Sequence, residues 1–104
     1  MTIHVTDVAI VGGGMVGGAL ALGLAQQGFT VTVLEKAAPP AFDPASAPDV
    51  RISAISAASV SLLKGLGVWD AVQAMRCHPY RRLETWEWET AHVVFDAAEL
   101  KLPL

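Results

Sequence analysis

The sequence predicts an α/β fold that opens on a parallel β–α–β unit, and three observations near its start predict it. Thr6 to Val11 is an apolar, β-branched run without polar alternation, the pattern of a parallel strand covered on both faces. Gly12, Gly14 and Gly17 follow at G-x-G-x-x-G spacing. A second apolar run, Thr30 to Leu34, then ends on an acid, Glu35.

Each glycine has its own physical task in such a turn. The first permits the tight exit from the strand, the second lets a pyrophosphate approach the backbone, and the third lets helix and sheet pack closely. Ala21 lies one turn beyond Gly17 and extends that small-residue seam. Met15 to Gln27 is the expected helix, with free N–H groups and a dipole at its start that favour phosphate. Gly28 supplies a left-handed stop. Glu35 stands where a carboxylate accepts hydrogen bonds from the ribose hydroxyls of an adenine dinucleotide. The stretch therefore reads as a Rossmann-like FAD- or NAD(P)-binding β–α–β unit. An acid at the end of the second strand disfavours a 2′-phosphate there, so FAD or NAD is preferred to NADP. The competing reading is a glycine-rich turn that binds nothing, with Glu35 an ordinary surface acid.

No charged residue lies between Asp7 and Glu35, a run long enough to suggest a membrane span. Gly12, Gly13 and Gly14 in succession fit a turn better than a spanning helix. The amino terminus, MTIHVTD, has no basic region and does not resemble a secretory signal. A cytoplasmic protein is expected.

The stretch from Ala37 to Pro48 carries Pro39, Pro40, Pro44 and Pro48 and reads as a loop. The chain re-enters the fold at Asp49, and Ile55 to Leu66 follows as a helix. Ser53 or Ser56 is its candidate cap, and Gly65 and Gly67 end it. Ile55, Ala58, Leu62 and Leu66 mark its expected inward face. Trp69 to Met75 reads as a short second helix. Arg51 is the single cation between Lys36 and Lys64. On spacing alone it either reaches the phosphates of a cofactor or pairs with Asp49 at the surface.

Leu83 to Trp88 alternates, and Val93 to Phe95 follows across a Glu89-to-His92 turn, a hairpin-like pair. Trp86 and Trp88 would share one face. The bland reading makes them core, and the sharper one makes them the wall of an apolar substrate cavity.

Composition narrows the function classes. The net charge of −3 and the absence of a basic stripe argue against nucleic acid. Arg76, Arg81 and Arg82 are followed at once by Glu84, Glu87 and Glu89, which reads as solvated strand-edge charge. Cys77 has no cysteine partner, as suits a reducing compartment, and with His78 it falls short of a metal site. Hydrophobic residues make up 53% of the chain, high for a domain this small. The unit also stops after one β–α–β element of a fold that needs more strands. The expectation is an incomplete fold: an N-terminal fragment whose main partner is the rest of its own chain, or a unit that meets another molecule through its apolar surface.

The motif ending in Glu35, followed by Asp49-Val-Arg51-Ile-Ser-Ala-Ile-Ser56 and Leu66-Gly-Val-Trp69, resembles the flavin-dependent aromatic hydroxylases of ubiquinone biosynthesis. These are class A flavoprotein monooxygenases related to para-hydroxybenzoate hydroxylase. The likeness covers essentially the whole chain and corresponds to the start of those enzymes. It implies FAD as cofactor, NAD(P)H as co-substrate, O2, and hydroxylation of a polyprenylated quinol. It also implies that Gly12, Gly14 and Gly17 hold the FAD pyrophosphate, that Glu35 binds the adenosine ribose, and that Arg51 contacts the flavin nucleotide. On the same likeness, residues 1–80 are the first part of the FAD-binding domain and 81–104 the first hairpin of the substrate region.

The family's later Asp-Gly and Gly-Asp elements do not occur here, so the segment alone is expected to be inactive. No residue within it is assigned a catalytic role. Association with the inner-membrane surface or with a biosynthetic complex is implied by the resemblance alone. Two alternatives stay open: an NAD-dependent or other flavin oxidoreductase, and a non-catalytic binding module that keeps the fold. A flavin disulfide reductase would need a second redox cysteine near Cys77, which the sequence lacks.

Overall fold

A computed structural model of the chain describes residues 2–100. The elements run β1 (Val8–Val11), α1 (Met15–Gln26), β2 (Val31–Leu34), α2 (Ala57–Leu66), α3 (Trp69–Gln73), β3 (Arg82–Glu87), β4 (Ala91–Asp96) and α4 (Ala97–Leu100). The architecture is mixed α/β, with one parallel and one antiparallel strand pair. Residues 101–104, the end of the expected substrate-region segment, lie outside the described residues.

β1 and β2 pair in parallel with Val8 opposite Val31 and Val11 opposite Leu34. Both strands are shorter than their apolar runs, because side chains take over from the ladder at the entry end. Thr30 N–H donates to Asp7 Oδ2 at 2.9 Å, and Asp7 N–H donates to Thr30 Oγ1 at 2.9 Å. Thr6 Oγ1 donates to the Thr30 carbonyl at 2.9 Å. The Thr30 N–H first, and then the Thr30 side-chain hydroxyl, hold the Asp7 carboxyl below the ordinary carboxylate range.

α1 crosses over the pair and packs on both strands. Gly28, at φ +94°, stops it as expected. The covering is one-sided: Ile10 faces the helix and is buried, whereas Val11 on the opposite face is 85% exposed. The two-faced cover implied by the unbroken apolar run is therefore missing.

α2 docks on α1 through Leu66. Its Cδ2 lies 3.5 Å from where a Cβ on Gly23 would stand, and its carbonyl accepts from Gln26 Nε2 at 2.8 Å. Ser56 is the cap, accepting from Ser59 N–H at 3.2 Å, so Ser53 is not. Gly67 at φ +80° ends the helix, and Gly65 lies inside it. The inward stripe is Val60, Leu63 and Leu66, all half-buried, while Ala58 and Leu62 of the expected face are exposed. Contact with α1 and α3 decides that face, and the apolar residues around α2 allow more than one stripe.

The hairpin pairs Arg82 with Asp96 and Glu87 with Ala91. Its turn comes earlier than expected, over Trp88 to Thr90, with Trp88 in the left-handed region at φ 57°. Trp88 is thus outside β3, and the shared strand face of Trp86 and Trp88 does not exist. Both tryptophans are exposed at the hairpin tip, so the core reading fails: among the described residues nothing buries them.

Among the described residues Ile10 alone is a buried hydrophobic. The radius of gyration is 18.3 Å, against about 13 Å for a compact chain of this length. The high apolar content thus sits largely on the surface.

Candidate functional site

Parallel register builds the site. With Val11 opposite Leu34, the residues that leave the two strands emerge side by side. Gly12 N–H donates to the Leu34 carbonyl at 2.8 Å and closes the ladder. At φ +101° it then takes a direction that a side chain would strain. Gly13 N–H donates to Glu35 Oε2 at 2.6 Å, so the acid after β2 reaches across onto the glycine turn.

Gly14 is the N-cap of α1, with extended backbone and no side-chain hydrogen bond to the first turn. A Cβ there would meet nothing within 4 Å. That open space lies beside N–H groups whose dipole favours an anion. Gly17 is the opposite case: a Cβ there would fall 2.0 Å from the Gly12 carbonyl oxygen and 3.3 Å from Ile10 Cγ2. Helix and turn touch at that point, and only hydrogen fits between them. Gly12 thus makes the turn, Gly17 the close approach of helix and strand, and Gly14 borders open space.

The structure brings Gly12, Gly14, Gly17 and Glu35 together and leaves Arg51 apart. Arg51 N–H donates to Asp49 Oδ1 at 3.3 Å, but among the described residues its guanidinium forms no ion pair with Asp49. It lines a broad groove between the proline-rich loop, α2, α3 and the base of the hairpin, together with Lys64, Trp69, Arg76 and Tyr80. None of the glycine-turn residues borders that groove.

Two residues escaped the sequence reading. Gly13 falls at a variable position of the motif, yet its N–H is the one Glu35 takes. Arg76 reads as solvated charge but lies 5.7 Å over the Phe42 ring and donates from Nη2 to the carbonyls of Pro44, at 2.9 Å, and Ser46. Nothing local signals a contact 32 residues away. Arg82 does behave as surface charge, 3.3 Å from Glu84, and Glu84 also meets His92 Nε2 at 2.5 Å. Cys77 is exposed. Among the described residues no group of three or more His, Cys, Asp or Glu could hold a metal ion, and no helix is long and apolar enough to cross a membrane.

A glycine turn closed onto an acid across a parallel pair, with open space at the head of the crossover helix, defines a nucleotide-cofactor protein of the α/β class. The chain belongs to the FAD-binding domain family, whose pattern it matches over residues 5–102. It is 85% identical to 3-demethoxyubiquinol 3-hydroxylase of Escherichia coli K12 over its whole length, which is 27% of that protein. It is 37% identical to the mitochondrial ubiquinone biosynthesis monooxygenase COQ6 of Danio rerio over 91% of this chain and 21% of that one. A ubiquinone hydroxylase of Rhodospirillum rubrum is 48% identical over 64% of this chain and 15% of its own length. The chain thus spans about a quarter, or less, of the relatives it matches.

Proposed function

We propose that the chain is the N-terminal, FAD-binding part of a flavin-dependent monooxygenase. That enzyme hydroxylates a polyprenylated benzoquinol in ubiquinone biosynthesis, with NAD(P)H as hydride donor and O2 as oxygen source. The observation that carries the reading is the glycine turn with Glu35 bonded across it, in a chain of the FAD-binding family. The names of the relatives supply the substrate class. Residues 1–80 form the first part of a Rossmann-like FAD domain, and 81–104 open the substrate region. The remainder of that longer protein covers the exposed apolar surface and supplies the catalytic groups. A polyprenyl substrate draws the enzyme to the inner-membrane surface or to a biosynthetic complex.

The residues present fit the cofactor. Gly14 leaves room for the pyrophosphate, and the α1 N-terminus offers N–H groups to it. Gly12 shapes the approach, and Gly17 keeps the helix head close to the strand. Glu35 accepts from the adenosine ribose hydroxyls when its carboxylate turns from Gly13 N–H, or bridges both with its two oxygens. Arg51 contributes a forked cation to the flavin nucleotide. When bound, the flavin accepts hydride and activates oxygen. The role of this segment is to bind and orient it.

The test is a visible absorbance spectrum of the full-length protein purified without added cofactor. A flavin spectrum, followed by NAD(P)H-dependent quinol hydroxylation, is the expected result. A folded but colourless protein would refute the proposal and favour a nicotinamide enzyme or a binding module.

A further inference from the structure

Arg76 and the proline-rich loop carry an inference that rests on the reading of Arg51 just given. The loop is built from two short turns. In the first, Asp43 Oδ1 accepts from Ala45 N–H at 2.9 Å, and the Asp43 carbonyl accepts from Ser46 N–H at 3.1 Å and Ser46 Oγ at 2.7 Å. In the second, Asp49 Oδ1 accepts from Arg51 N–H. These local bonds shape each turn but do not fix the loop to the body. Arg76, just beyond α3, does so: its guanidinium lies on Phe42 and donates to the carbonyls of Pro44 and Ser46. One guanidinium thus meets the loop at three residues, through Nη2 on two carbonyls and through its plane over the Phe42 ring.

The pinned point lies close to Arg51 in sequence. Five residues of chain reach at most about 17 Å when fully extended, and Pro48 with the Asp49 turn keeps this stretch from ranging freely. Arg51 and Arg76 line the same groove. We propose that Arg76 is a positioning residue that anchors the loop and so presents the Arg51 guanidinium to the flavin nucleotide.

The test uses the full-length protein and FAD titrations of the apoprotein followed by flavin fluorescence, on Arg76→Ala, Arg51→Ala and the double variant. Arg51→Ala is expected to weaken FAD tenfold to a hundredfold, the range for a charge-assisted contact. Arg76→Ala is expected to weaken it about tenfold and to speed proteolysis within residues 39–50 of the apoprotein. The double variant should match Arg51→Ala within about twofold, because Arg76 acts through Arg51. Arg76→Lys keeps the charge and carries the test if the alanine variant does not fold. It should fall between wild type and the about tenfold loss. Unchanged affinity in Arg51→Ala would overturn the assignment of Arg51 itself. An Arg51 effect without an Arg76 effect, or fully multiplicative effects in the double variant, would overturn the positioning role alone.

Discussion

Gly17 and Gly18 are neighbours on one helix, and the structure assigns opposite signs to the same substitution at the two positions. A methyl group on Gly17 would stand 2.0 Å from the Gly12 carbonyl oxygen and 3.1 Å from its carbon. A tolerable carbon–oxygen approach is about 3.3 Å, so helix and turn would have to part by more than an ångström. The obstruction is backbone held by the Gly12 hydrogen bond to Leu34, and no rotamer change relieves it. Overpacking of this kind costs about 1–3 kcal/mol, and a displaced backbone places Gly17→Ala at the upper end. The gain in helix propensity, about 1 kcal/mol, does not offset it. At Gly18 a Cβ would meet nothing within 4 Å, so Gly18→Ala keeps the propensity gain and should stabilise by up to about 1 kcal/mol. Urea unfolding of the full-length protein, with flavin content measured on the same samples, reads both. A Gly17→Ala variant as stable as wild type with full flavin would refute the close-contact argument.

Three further outcomes follow from the same geometry. Gly14→Val should cost the apoprotein about 0.5–2 kcal/mol, as for a β-branched residue at a helix N-cap, and abolish flavin retention by filling the pyrophosphate's space; stoichiometric flavin in the purified variant would contradict the assignment. Glu35→Ala removes a charged acceptor and should weaken the adenosine end by about 1.5–3 kcal/mol, measured with ADP-ribose as competitor for FAD; unchanged affinity would make Glu35 a structural acid alone. Asp7 has a lowered carboxyl pKa in the folded chain, first through the Thr30 N–H and then through the Thr30 hydroxyl. Its contribution is therefore present above the ordinary carboxylate range and disappears as pH falls through the lowered native value. Asp7→Asn should accordingly flatten the acid limb of stability against pH, and acid titrations of both proteins by circular dichroism, if superimposable, would rule out the Asp7–Thr30 contribution.

What was legible in the sequence is what short-range backbone constraint determines. Gly12, Gly17 and Gly28 each mark a place where the chain needs positive φ or close approach, and such needs leave a glycine behind. Glu35 was legible for a related reason, since parallel pairing brings strand exits together. The inward stripe of α2 was not legible, because Val60 and Leu63 face inward only through where α1 and α3 lie. Trp88 continued an alternating pattern that the backbone had already left, a left-handed turn taken by a residue that seldom adopts one. Arg76 was missed because its acceptors are main-chain carbonyls, which no side-chain pattern announces.

The parallel pair is clasped at both ends, by Asp7 with Thr30 at the entry and by Gly13 with Glu35 at the exit. The two clasps act as a ruler. A slip of one residue along β2 would displace its side chains by about 3.3 Å and undo both at once, so misaligned pairing gains nothing at either end. The spacing from Thr30 to Glu35 is therefore fixed: inserting or deleting one residue there would leave a protein able to close one clasp only, and the acid would miss the turn it now spans.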